Sequence, residues 1–132
     1  MERQRISSGA PWERIVGYSR AVRVGRLVVV AGTTASDGEG NVIGAADPYA
    51  QAVAIFRKIE AALREAGASM KDVVRTRAFL TNVDDWQEVG RAHAEFFGDV
   101  LPACTMVGVS RLLSPDMLVE IEVDAIITDD SP

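Results

Sequence analysis

Residues 117–127, MLVEIEVDAII, alternate in character. Met117, Val119, Ile121, Val123 and Ala125 fall on one side. Leu118, Glu120, Glu122, Asp124 and Ile126 fall on the other. A period of two is strand geometry, so this segment is one strand of a sheet with an apolar face and a partly acidic one. The rest of the chain has to supply the layer that covers the apolar face.

The clearest such layer is a helix starting near position 47. Asp47 caps it and Pro48 suits its first position. Ala52, Ile55, Phe56, Ile59, Leu63 and Ala66 recur at three and four residues and make one apolar face. Glu60 and Arg64 are spaced to pair on the wet face, and Gly67 supplies a left-handed stop. A second helix begins near Asn82, with Asp84 and Asp85 at its positive end. Trp86, Val89, His93 and Phe97 share its expected buried face, and Gly98 ends it.

Strands are expected over 14–24, 26–35, 72–80 and 103–111 in addition to 117–127. Alternation over 72–80 puts Val74, Thr76, Ala78 and Leu80 on one face and Val73, Arg75, Arg77 and Phe79 on the other. Residues 36–41, SDGEGN, read as a turn. The order is strands, helix, strand, helix, strands, a single α+β domain over 1–132 with two helices on one face of a mixed sheet. Two helices cover one face only. The strand at 26–31 is apolar on both sides, so another copy of the chain is the economical cover for the second face.

Composition narrows the function classes. The 132 residues are 48% hydrophobic and 25% charged, which suits a packed domain. No apolar run approaches the ~20 residues of a membrane span, and the N-terminal segment has no signal-peptide pattern. A single cysteine, Cys104, allows no disulfide or Cys-based zinc site within one chain and fits a cytoplasmic location. Residues 1–26 hold six arginines against two glutamates, while the remainder holds eight basic against seventeen acidic residues. That remainder would repel a phosphate backbone, so no nucleic-acid partner is expected.

Several segments occur in a telling order: Gly17-Tyr18, LVVVAG, DPYAQ, EAGAS, DVVRTRAFLTNV, EFFGD, LPACTMVGVSRL and MLVEIEVDAI. The chain thereby resembles the RidA/YjgF family of enamine/imine deaminases over almost its whole length. The resemblance implies a chorismate-mutase-like fold and a homotrimer with ligand clefts between subunits, without cofactor or metal. In that chemistry a small imino acid is held by its carboxylate while water adds to the C=N carbon, releasing ammonia and a 2-keto acid.

Carried onto this chain, the resemblance makes Glu120 the catalytic carboxylate and Tyr18 the cleft tyrosine, with Gly32 and His93 among the cleft residues. Gly90 stands where the family has a cleft asparagine. The family's carboxylate-gripping arginine, two residues after the strand-opening proline, is Cys104 here. GYSRAVRVG and VVRTR mark a divergent branch. Arg77 and Arg20 are the candidates to replace the missing anion clamp, with pairing to Glu120 or Glu122 as the structural alternative for Arg77. Cys104 with His93 as its base would be a nucleophilic dyad only within hydrogen-bond reach. Trp12 is packing, a lid or a subunit clasp. The expected function is a small-molecule hydrolase acting on an imine, enamine or related reactive metabolite; the alternative is a non-catalytic metabolite-binding trimer. Endoribonuclease activity, an older label of relatives, sits poorly with the acidic charge and lone histidine.

Overall fold

The computed structural model describes residues 2–128. Six strands form one sheet in the order β1-β2-β3-β6-β4-β5. They are β1 (Arg3–Ile6), β2 (Ala21–Val24), β3 (Leu27–Thr34), β4 (Val73–Leu80), β5 (Ala103–Gly108) and β6 (Val119–Ile126). Only β4 and β5 run parallel, which makes the sheet mixed, as the α+β reading requires. Helices α2 (Pro48–Glu65) and α3 (Trp86–Phe97) cover one face. No helix among the described residues is long and apolar enough to cross a membrane.

The long helix forms as its sequence dictates. The Asp47 side chain accepts from the Ala50 N–H at 3.0 Å, Pro48 opens the helix, and Gly67 at φ 87° closes it. Its buried residues Ile55, Phe56, Ile59 and Leu63 pack on Val28, Val30, Ile121 and Val123 of the sheet. Glu60 and Arg64 pair at 3.3 Å on the outer face. The turn at 36–41 is held by Asp37, whose carboxylate accepts from the Glu39 and Asn41 N–H groups.

Three expectations are corrected. Residues 14–24 are not one strand: the short helix α1 (Pro11–Val16) occupies their start, β2 begins only at Ala21, and β1 forms further upstream. The buried Glu13 explains the difference. It accepts from Ser7, Ser8 and the Ser8 N–H, folding the chain into a turn that alternation cannot show. In β4 the faces cross over at a register shift between Val73 and Arg75, so Val73 joins the core and Val74 faces out. Trp86, expected inside, is 54% exposed at the start of α3, where the 3-10 turn Val83–Asp85 sets the helix phase. Ala92 takes the inward position instead.

β6 keeps its alternation. Val119, Ile121, Val123 and Ala125 are buried against the helices, and Glu120, Glu122 and Asp124 face the other way. That other face carries Leu27, Val29, Val107 and Ile126 in the open.

Candidate functional site

Five of the residues singled out in the sequence meet at one small cavity of about 50 Å³: Trp12 of α1, Tyr18, Arg20, Gly32 and Glu120. Lys58 of α2 also lines it. Two larger hollows, of about 630 and 390 Å³, open toward the N-terminal segment and α2, and Glu120 lines neither. Of the three, only the small cavity is lined by Glu120; Arg20 and Lys58 border it and also line the 390 Å³ hollow.

The sheet builds this cavity. β3 pairs with β6 through a register shift between Val30 and Thr33, after which Thr34 stands opposite Glu120. The shift leaves Gly32 beneath the Glu120 side chain. A Cβ on Gly32 would overlap the Glu120 carboxylate, so only glycine leaves that space. Burial pushes the Glu120 carboxyl above its ordinary value; Arg20 works against this and Glu122 adds to it. The group is therefore poised nearer neutrality than an exposed glutamate, as a proton-transferring carboxylate requires.

Arg20 ties the parts together. Its Nη1 donates to the Gly32 carbonyl at 2.7 Å and to Thr33 Oγ1 at 3.0 Å, and its Nη2 donates to the Tyr18 hydroxyl at 3.3 Å. Its Nε lies 3.7 Å from the Glu13 carboxylate and makes no hydrogen bond, although the side chain is only 7% exposed. Burial would raise the Glu13 carboxyl, but the hydrogen bonds from Ser8 and Ser7 and the charge of Arg20 outweigh it and hold it below the ordinary value.

Lys58 and Glu13 were not expected at the site. Lys58 Nζ donates to the carbonyls of Thr34 and Ser36 at 2.7 and 3.0 Å and to Ser36 Oγ at 3.3 Å. Burial, with repulsion from Arg20, holds its ammonium below the usual lysine value. The signal for Lys58 was its place between Ile55 and Ile59, on the flank of the apolar stripe. Glu13 could have been noticed as one of only two acids in the arginine-rich first 26 residues.

The remaining candidates lie elsewhere in the single chain. Arg77 shares the sheet face of Glu120 but pairs with Glu122 at 3.1 Å and Asp124 at 3.4 Å; Phe79, not Arg77, stands opposite Glu120. Cys104 is exposed on the edge strand β5. Gly90 and His93 belong to α3, behind the sheet. His93 Nε2 shares a hydrogen bond of 2.9 Å with Thr76 Oγ1, its ring packs against Phe56 and Phe97, and burial holds it below its ordinary value. It is a core histidine bonded to Thr76 rather than a base bonded to Cys104. Among the described residues no group of three or more His, Cys, Asp or Glu is arranged to hold a metal ion.

Comparison with known proteins gives a consistent result. Residues 9–127 match the family model described as Endoribonuclease L-PSP. Rv2704 from Mycobacterium tuberculosis, a member of the YjgF/YER057c/UK114 family, is 49% identical, with a TM-score of 0.87 over 96% of this chain and 100% of that one. The uncharacterized protein SCO2049 of Streptomyces coelicolor is 41% identical over 92% of this chain and 90% of its own length. The 3-aminoacrylate deaminase RutC of Acinetobacter baylyi is 33% identical over 79% of this chain and 82% of its own.

Proposed function

The chain belongs to the RidA/YjgF (Endoribonuclease L-PSP) family, and from that premise we propose that it hydrolyses a small imine, enamine or related reactive metabolite at the Glu120 cavity. The carrying observation is the Glu120 carboxylate itself, half-buried over Gly32, raised by burial and bordered by Arg20 and Tyr18. In the ionised form it accepts a proton from water as the water oxygen bonds to the C=N carbon, and passes that proton to the nitrogen to give a carbinolamine. It then takes the hydroxyl proton and delivers it to the nitrogen as the C–N bond breaks, so that ammonia leaves and a carbonyl product remains. The similarity to an enamine deaminase supports this reaction class.

A homotrimer with clefts between subunits completes the proposal. The uncovered sheet face supports it: Leu27 stands opposite Ile126 in the β3–β6 pairing, and both are exposed in a single chain. Cys104 on the edge strand, Arg77 on the open face, and Gly90 and His93 on α3 would then contribute to ligand contact only across or behind such an interface. Light scattering at micromolar concentration should return three chains; a stable monomer would remove the shared cleft. The proposed location is the cytoplasm, on the ground that the single cysteine, Cys104, fits a reducing compartment.

The test of chemistry is imine consumption. Imino acids generated in place from amino acids by an oxidase should disappear faster with the protein, and Glu120→Gln should abolish the acceleration. The second reading, a metabolite-binding trimer without catalysis, draws on one observation: no arginine stands at position 104, and the cysteine there is exposed. Ligand-induced thermal stabilisation with no imine consumption would select it.

A further inference from the structure

The Glu120 cavity has a polar floor and an apolar way in. At about 50 Å³ it is small, and the attacking water alone takes about 30 Å³. A ligand therefore fits its C=N end there and carries any longer substituent out through the mouth. Ala10, Trp12, Met117 and Leu113 line that way out. Met117 is 2% exposed and Leu113 80%, so this wall runs from the enclosed end to solvent. It is also fixed in place. The buried Gln51 holds the chain on both sides of Met117, donating to the Asp116 carbonyl at 2.9 Å and accepting from the Leu118 N–H at 2.9 Å.

The floor offers little to a charged ligand. All three Lys58 hydrogen bonds go to Thr34 and Ser36, which uses up the donors of an ammonium. Arg20 spends Nη1 on Gly32 and Thr33 and Nη2 on Tyr18, and its enclosed Nε faces Glu13. A ligand carboxylate would meet the Glu120 carboxylate instead, and like charges at close range disfavour each other. An apolar substituent has the opposite balance, because it covers Leu113, a large apolar side chain left in water. Resting on the hydrolase reading above, we propose that this site takes an uncharged imine or enamine with an aliphatic substituent of several carbons, and that Leu113 is the specificity-determining residue at its mouth. A mostly apolar wall with a few placed polar groups at the reacting end is the usual make of a small-molecule site.

The experiment uses three imines made in place: those of isovaleraldehyde and acetaldehyde, from isopentylamine and ethylamine with a flavin amine oxidase, and the imino acid of leucine with an amino-acid oxidase. The first differs from the second in its tail and from the third in the carboxylate. Acceleration over the uncatalysed reaction should be about tenfold or more greater for the isovaleraldehyde imine than for either of the others. Leu113→Ala should lose most of the tail preference and keep the preference against the carboxylate, which the floor sets. Each preference is a ratio within one variant, so a change in overall stability does not move it. A wild type that accelerates the imino acid as strongly as the neutral imine overturns the proposal, as does one indifferent to the tail, or an unchanged tail preference in Leu113→Ala. Calorimetric titration of wild type with isovaleramide and isovalerate separates the two readings. No acceleration of any imine, with the amide bound about tenfold tighter than the acid, keeps the apolar selection and removes hydrolysis. Acceleration that is lost in Glu120→Gln, with the imino acid preferred, does the reverse.

Discussion

The Glu120 carboxylate fills the space that a side chain on Gly32 would need. This relationship joins fold to chemistry. The register shift between Val30 and Thr33 in β3 sets Gly32 there, and alternation in β6 turns Glu120 away from the helices. Arg20 then fixes the other side of Gly32 by donating to its carbonyl. The position of the carboxylate is thus set by backbone on two strands.

Gly32→Ala follows directly. The Cβ would meet the end of a flexible side chain rather than backbone, so Glu120 can swing aside. The stability cost should stay near the low end of overpacking, about 1 kcal/mol, while imine consumption should fall by about tenfold or more because the carboxylate is displaced. A thermal melt beside the turnover assay checks both. Full activity in this variant would show that the seating of Glu120 over Gly32 is unimportant.

Glu120 should also leave a pH signature. Its folded-state pKa is raised, chiefly by burial. Relative to the unfolded chain, its contribution to stability is present below the ordinary glutamate pKa and is lost as pH rises through the raised one. Glu120→Gln should therefore gain stability over wild type as pH rises through that window. Wild-type turnover should climb in the same window as the base ionises. Melting curves of the pair from pH 4 to 8 that stay parallel would contradict the raised pKa.

Much of this architecture is readable in the sequence, because strong periodicity reports burial directly. The helix at 48–65 and the strand at 119–126 each expose one unambiguous stripe, and the residues Asp47, Pro48 and Gly67 mark boundaries through local chemistry. The site is readable only in part. Tyr18, Arg20, Gly32 and Glu120 stand out in the sequence, but the bulge that brings Gly32 under Glu120 has no local code. Val73 and Val74 exchange faces for the same reason: a register shift is a property of two strands together. Glu13 defeats periodicity altogether, since hydrogen bonds to Ser7 and Ser8 decide the chain's path there. Trp86 shows the opposite failure, a large apolar residue assigned inward by spacing but left outside by the turn that precedes its helix.

Arg77 tests the proposed assembly. In one chain its ion pairs with Glu122 and Asp124 are about a third exposed, so such pairs contribute at most about 1 kcal/mol to folding. On a face covered by another copy, loss of Arg77 would leave Glu122 and Asp124 without their neutralising cation in a desolvated interface. Arg77→Ala should thus melt within a few degrees of wild type when dilute and dissociated, yet need about tenfold more protein to stay trimeric. Sedimentation across a concentration series reads this. Identical dissociation in both proteins would place Arg77 outside the interface.

The last prediction concerns Glu13, whose role is to hold the N-terminal turn against the site. Its carboxylate accepts from Ser7 Oγ at 2.9 Å, from Ser8 Oγ and from the Ser8 N–H, and it faces Arg20 Nε across 3.7 Å, with side-chain exposure of 7% at both ends of the ion pair. Glu13→Ala removes the charge nearest a buried guanidinium and frees two serines at once, so it should destabilise by about 3–5 kcal/mol. Glu13→Gln keeps an acceptor for the serines and should cost less. The pH dependence runs opposite to that of Glu120. Because the folded Glu13 pKa is lowered, its contribution is full above the ordinary glutamate pKa and is lost as pH falls through the lowered value. The gap between wild type and Glu13→Gln should therefore be widest near neutrality and close in acid. Urea unfolding of the three proteins at pH 7 and pH 3 measures it. A gap that is small at pH 7, or unchanged at pH 3, would mean that the ionised carboxylate does not hold α1 in place, and the path of residues 7–16 would need another cause.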